Sequence, residues 1–250
     1  MKRIPLSSLA LLFVSVLSAP GAHASERRFT YTYPTLTSPA GEVELENWLT
    51  WKSHPGALRM LEVRHELEIG LTDKTQIGIY VANWNYDARA RSSAYTRSAL
   101  ELIHNLTNPA TDFLGSALYG EISAGERSAA FEGKLLLEKR LGRWVIGWNG
   151  VFESEWEGDK FADFQESSGE LGQTFGVAYD LTRSLSCGVE AVHKTSLEKW
   201  HAPGDMQFYY GPNLTFRKGH FFTSVTGLFQ ATQRTGEPSF QSRLIVGIDF

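Results

Sequence analysis

The chain has 250 residues, a formal charge of −4 and a single cysteine, Cys187. The length suits one all-β barrel or sandwich. The lone cysteine excludes an intrachain disulfide framework and a multi-cysteine zinc site, and the acidic balance argues against nucleic acid as a partner.

The N-terminus reads as an export signal over residues 1–24. Lys2 and Arg3 form a basic start, Leu6 to Leu17 an apolar run, and Ala22-His23-Ala24 a small-x-small cleavage site that leaves Ser25 first. Losing Lys2 and Arg3 takes the charge from −4 to −6. After this segment no apolar run reaches the roughly eighteen residues of a membrane helix. Residues 25–40 alternate Phe29, Tyr31 and Tyr33 before Pro34 and Pro39. They form either a periplasmic leader, the usual fate of a terminus, or a plug folded into a lumen.

From Gly41 to Phe250 the dominant period is two. Val43, Leu45, Leu49 and Trp51 share one face, and Glu42, Glu44, Glu46, Trp48 and Thr50 the other. Leu61, Val63, His65, Leu67 and Ile69 oppose Glu62, Arg64, Glu66 and Glu68. A helix would scatter those charges around its circumference, whereas a strand separates them. The pattern recurs at 131–138, 144–156, 171–179, 207–217 and 240–250, and more weakly at 75–86, 96–106, 112–123, 185–195 and 220–231. This predicts about twelve antiparallel strands, an even number such as bacterial barrels use. Tight turns at 71–74, 106–109, 141–143, 181–184 and 217–219 alternate with polar connections at 52–58, 87–95, 157–168, 196–205 and 232–238. Short periplasmic turns and longer outer loops are the outer-membrane arrangement.

Three features put the apolar face outside. The opposite face is too densely charged to cover a small core. Trp51, Trp144, Trp156, Tyr179, Phe216 and Phe250 sit near strand ends, where lipid interfaces carry aromatic girdles. Leu244, Val246, Ile248 and the terminal Phe250 share one face, like the C-terminal signal read by barrel-assembly machinery. The expected class is therefore an all-β transmembrane up-and-down barrel in the outer membrane of a Gram-negative bacterium. Its partners are outer-membrane lipid and the assembly machinery. The competing reading, a soluble sandwich or calycin-like barrel, would leave apolar stripes in water.

The stretches Pro39-Ala-Gly-Glu-Val-Glu-Leu-Glu-Asn-Trp-Leu-Thr-Trp51 and Glu66-Leu-Glu-Ile-Gly-Leu-Thr-Asp73 resemble a family of uncharacterised proteobacterial outer-membrane barrels. That family is itself similar to barrels assigned to uptake of hydrophobic or aromatic compounds, of the phenol-degradation pathway type. The resemblance implies a transport-like role.

Glu44, Glu46, Glu62, Arg64 and Glu66 are candidate lumen residues, with Trp48, Tyr80, Trp84, Tyr119 and Tyr209 beside them. Carboxylates near aromatic rings suit a cationic or aromatic solute. The plainer reading is that Glu and Arg/Lys ladders fill the interior. Twelve strands about 4.8 Å apart and tilted about 40° give a backbone radius of roughly 12 Å, narrow once side chains enter. The leading expectation is a narrow channel for a small solute; the alternative is a closed barrel acting through its outer loops. A lipid-modifying enzyme would use Ser and His on the lipid side. His65, His104 and His193 carry no such spacing, and no cofactor or metal motif is present, so no catalytic or metal residue is assigned.

Overall fold

Period-two alternation over so many segments leads to closure, because each strand needs a hydrogen-bonded neighbour on both sides. The computed structural model describes residues 27–56, 58–200, 204, 206–234 and 236–250; the expected export signal at 1–24 lies outside them. The described residues form twelve strands. They are β1 (Val43–His54), β2 (Leu58–Thr72), β3 (Thr75–Asp87), β4 (Ser92–Thr107), β5 (Gly115–Ala124) and β6 (Ser128–Leu141). The second half comprises β7 (Trp144–Gly158), β8 (Phe164–Asp180), β9 (Leu185–Leu197), β10 (Met206–Lys218), β11 (Phe221–Gln230) and β12 (Phe240–Asp249). Each pairs antiparallel with its sequence neighbours, and β1 pairs with β12 to close the barrel.

The faces fall as the alternation requires. On β1, Glu44, Glu46, Trp48 and Thr50 are buried inside, while Leu45 is exposed outside. Leu100, Leu102, Ile122, Leu171, Val189, Tyr210 and Phe229 also stand exposed on the outer wall, a surface that only an apolar solvent tolerates. Aromatic pairs mark both rims. Trp144 packs on Tyr179 near the tight-turn rim; Trp84 meets Tyr95 edge-on and Phe229 packs against Phe240 near the other. At the seam Leu45 is opposite Ile248 and Leu49 opposite Leu244. Phe250 ends the outward row of Leu244, Val246 and Ile248.

Four of the five turns at one rim are tight; the fifth, read as a tight turn at 106–109, instead runs over 108–114, because β4 ends at Thr107 and β5 begins only at Gly115. Gly142 and Gly219 take the positive φ that two-residue turns demand, 60° and 61°. The opposite rim departs from expectation. The segment 157–168, read as a loop, is mostly ladder: β7 continues to Gly158 and β8 begins at Phe164. Residues 52–54 and 92–95 are likewise strand. Pairing uses backbone groups alone, so polar side chains extend the wall above the apolar band without breaking it.

Residues 27–38 run through the lumen before β1 begins. Phe29, Thr30, Thr32, Tyr33 and Thr35 are all buried. Of the two fates open to residues 25–40, the described part takes the plug.

A charge in the apolar band should be costly. Leu102→Arg is expected to lower unfolding free energy by about 2–4 kcal/mol, the range for a basic residue at the bilayer midplane. Denaturant unfolding in lipid vesicles measures this, and a loss below about 1 kcal/mol would move Leu102 out of the band.

Candidate functional site

The plug is not a strand of the sheet, so its backbone amides need acceptors from side chains. The wall supplies them. Glu190 of β9 accepts from the amides of Thr30 (3.0 Å), Tyr31 (2.9 Å) and Thr32 (3.0 Å), from the Thr30 hydroxyl, and from the Thr226 hydroxyl. Asn149 of β7 reads Tyr33 on both sides: its Oδ1 accepts from the Tyr33 amide at 2.6 Å and its Nδ2 donates to the Tyr33 carbonyl at 3.2 Å. Asn105 donates to the Thr35 carbonyl at 2.7 Å, and Gln76 accepts from the Ser38 amide at 2.8 Å. Glycines make room. A methyl at Gly176 would lie 2.7 Å from the Phe29 ring, and one at Gly147 would lie 2.9 Å from Thr32 Cγ2.

Arg27 anchors the inner end. Its Nε donates to Glu46 Oε1 at 2.9 Å, and a terminal nitrogen lies 3.4 Å from Glu68. Arg28 pairs with Asp180 at 3.1 Å. Glu46, Glu66 and Glu68 bring carboxylate oxygens within 4.8 Å of one another. Such a set could hold a cation, but here the Arg27 guanidinium lies among them. The acidic stripe seen in the sequence therefore serves, in its inner half, to hold the plug.

Tyr33 occupies the middle of the lumen. Its ring is 5.2 Å from Tyr119 and 6.1 Å from Trp48, and its hydroxyl lies 3.2 Å from that of Tyr80. Arg27 sits 4.7 Å from its ring centroid and Lys134 sits 4.2 Å away. Cations over aromatic faces stabilise such a layer. On the tight-turn side lies a cavity of about 230 Å³, bounded by Arg27, Tyr33, Glu44, Glu68 and Gln76. On the other side lies one of about 270 Å³, floored by Tyr31, Tyr33, Trp48 and Tyr119. Tyr33 lines both.

The two cavities differ in charge. Six Lys and Arg side chains border the outer cavity against four Glu: Lys52, Arg64, Arg97, Lys134, Lys194 and Arg243 against Glu62, Glu132, Glu153 and Glu170. Three of the bases sit in short ion pairs, Lys52 with Glu62 (2.6 Å), Lys134 with Glu132 (2.8 Å) and Lys194 with Glu170 (2.8 Å).

The predicted site residues thus divide. Glu44, Glu46 and Glu66 belong to the inner half, with Tyr80 beside them donating to Glu101 at 2.9 Å. Trp48, Glu62 and Arg64 border the outer cavity. Tyr209 is buried against Val192 and Leu228, apart from the Tyr33 layer. Trp84 is a correction. It is 43% exposed and faces outward, paired with Tyr95. A register shift between Tyr80 and Asn83 inserts a residue into β3, and one extra residue moves every later side chain to the other face. Asn83 takes the inward place. Glu190, Asn149, Gln76 and Asn105 were missed as plug anchors, although each lies on an inward-facing parity. His65 contacts Asn47 at 2.8 Å and His104 contacts Thr75 at 2.9 Å; both pairs bridge neighbouring strands on the outer face.

Comparison with known proteins agrees with this architecture. Residues 21–128 match a family of unknown function, DUF6662. No curated protein matches the chain. Among solved structures, the chain is similar to an outer membrane channel from Pseudomonas putida, at 14% identity and a TM-score of 0.61 over 86% of this chain and 98% of that one. The NanC porin aligns at 10% identity and a TM-score of 0.57, over 82% and 98%. The KdgM porin, solved in complex with disordered oligogalacturonate, aligns at 7% identity and 0.51, over 84% and 98%. The fold is a closed twelve-stranded antiparallel barrel of the kind found in outer-membrane proteins.

Removing the Glu190 carboxylate strands several buried plug amides, each worth roughly 1–3 kcal/mol when left unpaired. Glu190→Ala is expected to cost at least about 3 kcal/mol of plug seating. Limited proteolysis of the folded barrel should then cut near residues 27–38, where the parent resists. Equal resistance would show that the plug is held elsewhere.

Proposed function

We propose that this protein is a narrow outer-membrane channel for small solutes, closed in the state described by its own N-terminal segment. The observation that carries this reading is the pair of cavities on either side of Tyr33. A solid interior would have no such spaces, and an open pore would have no partition. The segment hangs on side-chain hydrogen bonds, not on a ladder, so it can leave the lumen without breaking the wall. The solved barrels of like fold include proteins described as porins or as an outer membrane channel, which supports the same reading.

The expected acidic lumen would favour cations. The supporting geometry is different: the acidic side chains of the inner half hold the plug, and the outer cavity carries more bases than acids. A barrel acting through its outer loops is less well supported, because four of the six outer connections, at 55–57, 88–91, 125–127 and 159–163, are short, and the other two, at 198–205 and 231–239, span only eight and nine residues. A lipid-modifying activity would ask the outward histidines to meet a serine nucleophile; His65 and His104 instead meet Asn47 and Thr75. Export through a cleaved signal, assembly through the Leu244, Val246, Ile248 and Phe250 row, and residence among outer-membrane lipids belong to the same proposal.

Planar-bilayer recording tests it. The refolded parent should conduct weakly or in brief openings. Tyr33→Ala, which removes the shared wall of the two cavities, should give steady openings of several-fold larger conductance. A Tyr33→Ala barrel that is folded, as judged by heat-modifiable migration, and yet silent would overturn the channel reading.

A further inference from the structure

Within the outer cavity the basic side chains are not equivalent. Lys52, Lys134 and Lys194 are each within 2.8 Å of a glutamate, and Arg97 lies 3.9 Å from Glu153 and from Glu155. Arg64 of β2 and Arg243 of β12 stand outside this pairing; neither forms an ion pair among the described residues. Among the described residues, Arg243 donates to two neutral oxygens, Thr50 Oγ1 at 3.0 Å and the Thr30 carbonyl at 3.2 Å.

Both arginines lie next to one strand. Arg64 is opposite Trp48 and Arg243 is opposite Thr50, on the two sides of β1. Each is half-buried and borders the same space. Glu121 and Glu62 act on Arg64 through space without reaching ion-pair distance, which leaves its planar fork open among the described residues, and such a fork matches a carboxylate in two parallel hydrogen bonds. Rings line the rest of the floor. Arg243 lies 4.0 Å from the Tyr31 centroid and 5.2 Å from that of Trp48, and Tyr33 and Tyr119 complete it. The cavity, about 270 Å³, is a little below the roughly 300–1,000 Å³ of drug-sized pockets. It suits one ring carrying one acid group.

We infer that the outer cavity is a recognition site for a small organic carboxylate with a flat apolar body, its anion received by Arg64 and Arg243. This rests on the channel reading only in placing the cavity on a solute's path; the site itself can be tested without conduction. The anion approaches Arg64 from the cavity. At Arg243 it competes with the Thr30 carbonyl, so binding bears directly on the plug.

The test is calorimetric titration of the refolded protein in detergent micelles with three probes of one ring and different charge: benzoate, benzyl alcohol and benzylammonium. Benzoate is expected to bind, and the other two to bind at least about tenfold more weakly, as expected when a charge-assisted hydrogen bond is lost. Arg64→Gln should weaken benzoate by about tenfold and leave benzyl alcohol unchanged. Arg64→Lys should fall between, since it keeps the charge and loses the fork. Equal affinity for the three probes, benzylammonium preferred, or benzoate unaffected by Arg64→Gln overturns the assignment. The parent protein decides the probe order even where a variant fails to fold. A barrel that binds benzoate through Arg64 while Tyr33→Ala stays silent keeps the site and overturns the channel. A conducting Tyr33→Ala barrel whose parent is indifferent to benzoate does the reverse.

Discussion

A barrel with oil outside must satisfy every inward polar group from within. That constraint organises this molecule. Its twelve strands put carboxylates, amides and guanidiniums on the inner face because the outer face is reserved for Leu, Ile, Val and aromatic side chains. The wall's backbone is already used up in the ladder, so the inner groups need partners that are neither wall backbone nor lipid. Residues 27–38 provide many of them. Glu190 takes three successive amides, Asn149 takes both sides of Tyr33, and Glu46 takes Arg27. The acceptors on the wall and the donors on the segment fit each other, which is why both cavities are small.

The outer half follows a different economy. There the bases are largely neutralised by neighbouring glutamates, across strands at Lys52 and Lys194 and within β6 at Lys134, and an aromatic floor replaces the inner carboxylates. Among the described residues, Lys52, Lys134 and Lys194 are compensated by contact ion pairs, whereas Arg64 and Arg243 have none. The lumen is thus two chambers of unlike chemistry divided by one tyrosine layer, a more differentiated interior than a uniformly acidic tube.

Much of this was legible in the residues. Alternation sufficed for strand number, face and closure, because a lipid-facing wall leaves little freedom in which side chains point outward. It failed at Trp84, where nothing between Tyr80 and Asn83 marks the inserted residue: no glycine or proline stands there, and Tyr80, Trp84 and Tyr86 keep one sequence parity although they change face. It failed at 157–168, where polar composition suggested a loop although pairing is indifferent to side-chain polarity. The plug was legible only as an alternative. Its alternating Phe29, Tyr31 and Tyr33 suit an extended chain, but where an extended terminus goes depends on acceptors far along the sequence. The inward glycines Gly147 and Gly176, on neighbouring strands and opposite each other, were the one available sign that something must lie against the wall there.

The partners of the plug have a consequence for how the barrel is made. Thr30 meets Glu190 across 160 positions, and Tyr33 meets Asn149 across 116. The segment emerges before every strand, yet its seats are on β7 and β9. Contacts of such separation form late, after the chain between them has been ordered. A barrel sealed first would need its terminus threaded back through the tight-turn rim. A terminus already within the curling sheet would be enclosed as β1 meets β12. The seam and the plug are then one event in assembly, and residues 27–38 act as the last template on which the cylinder closes.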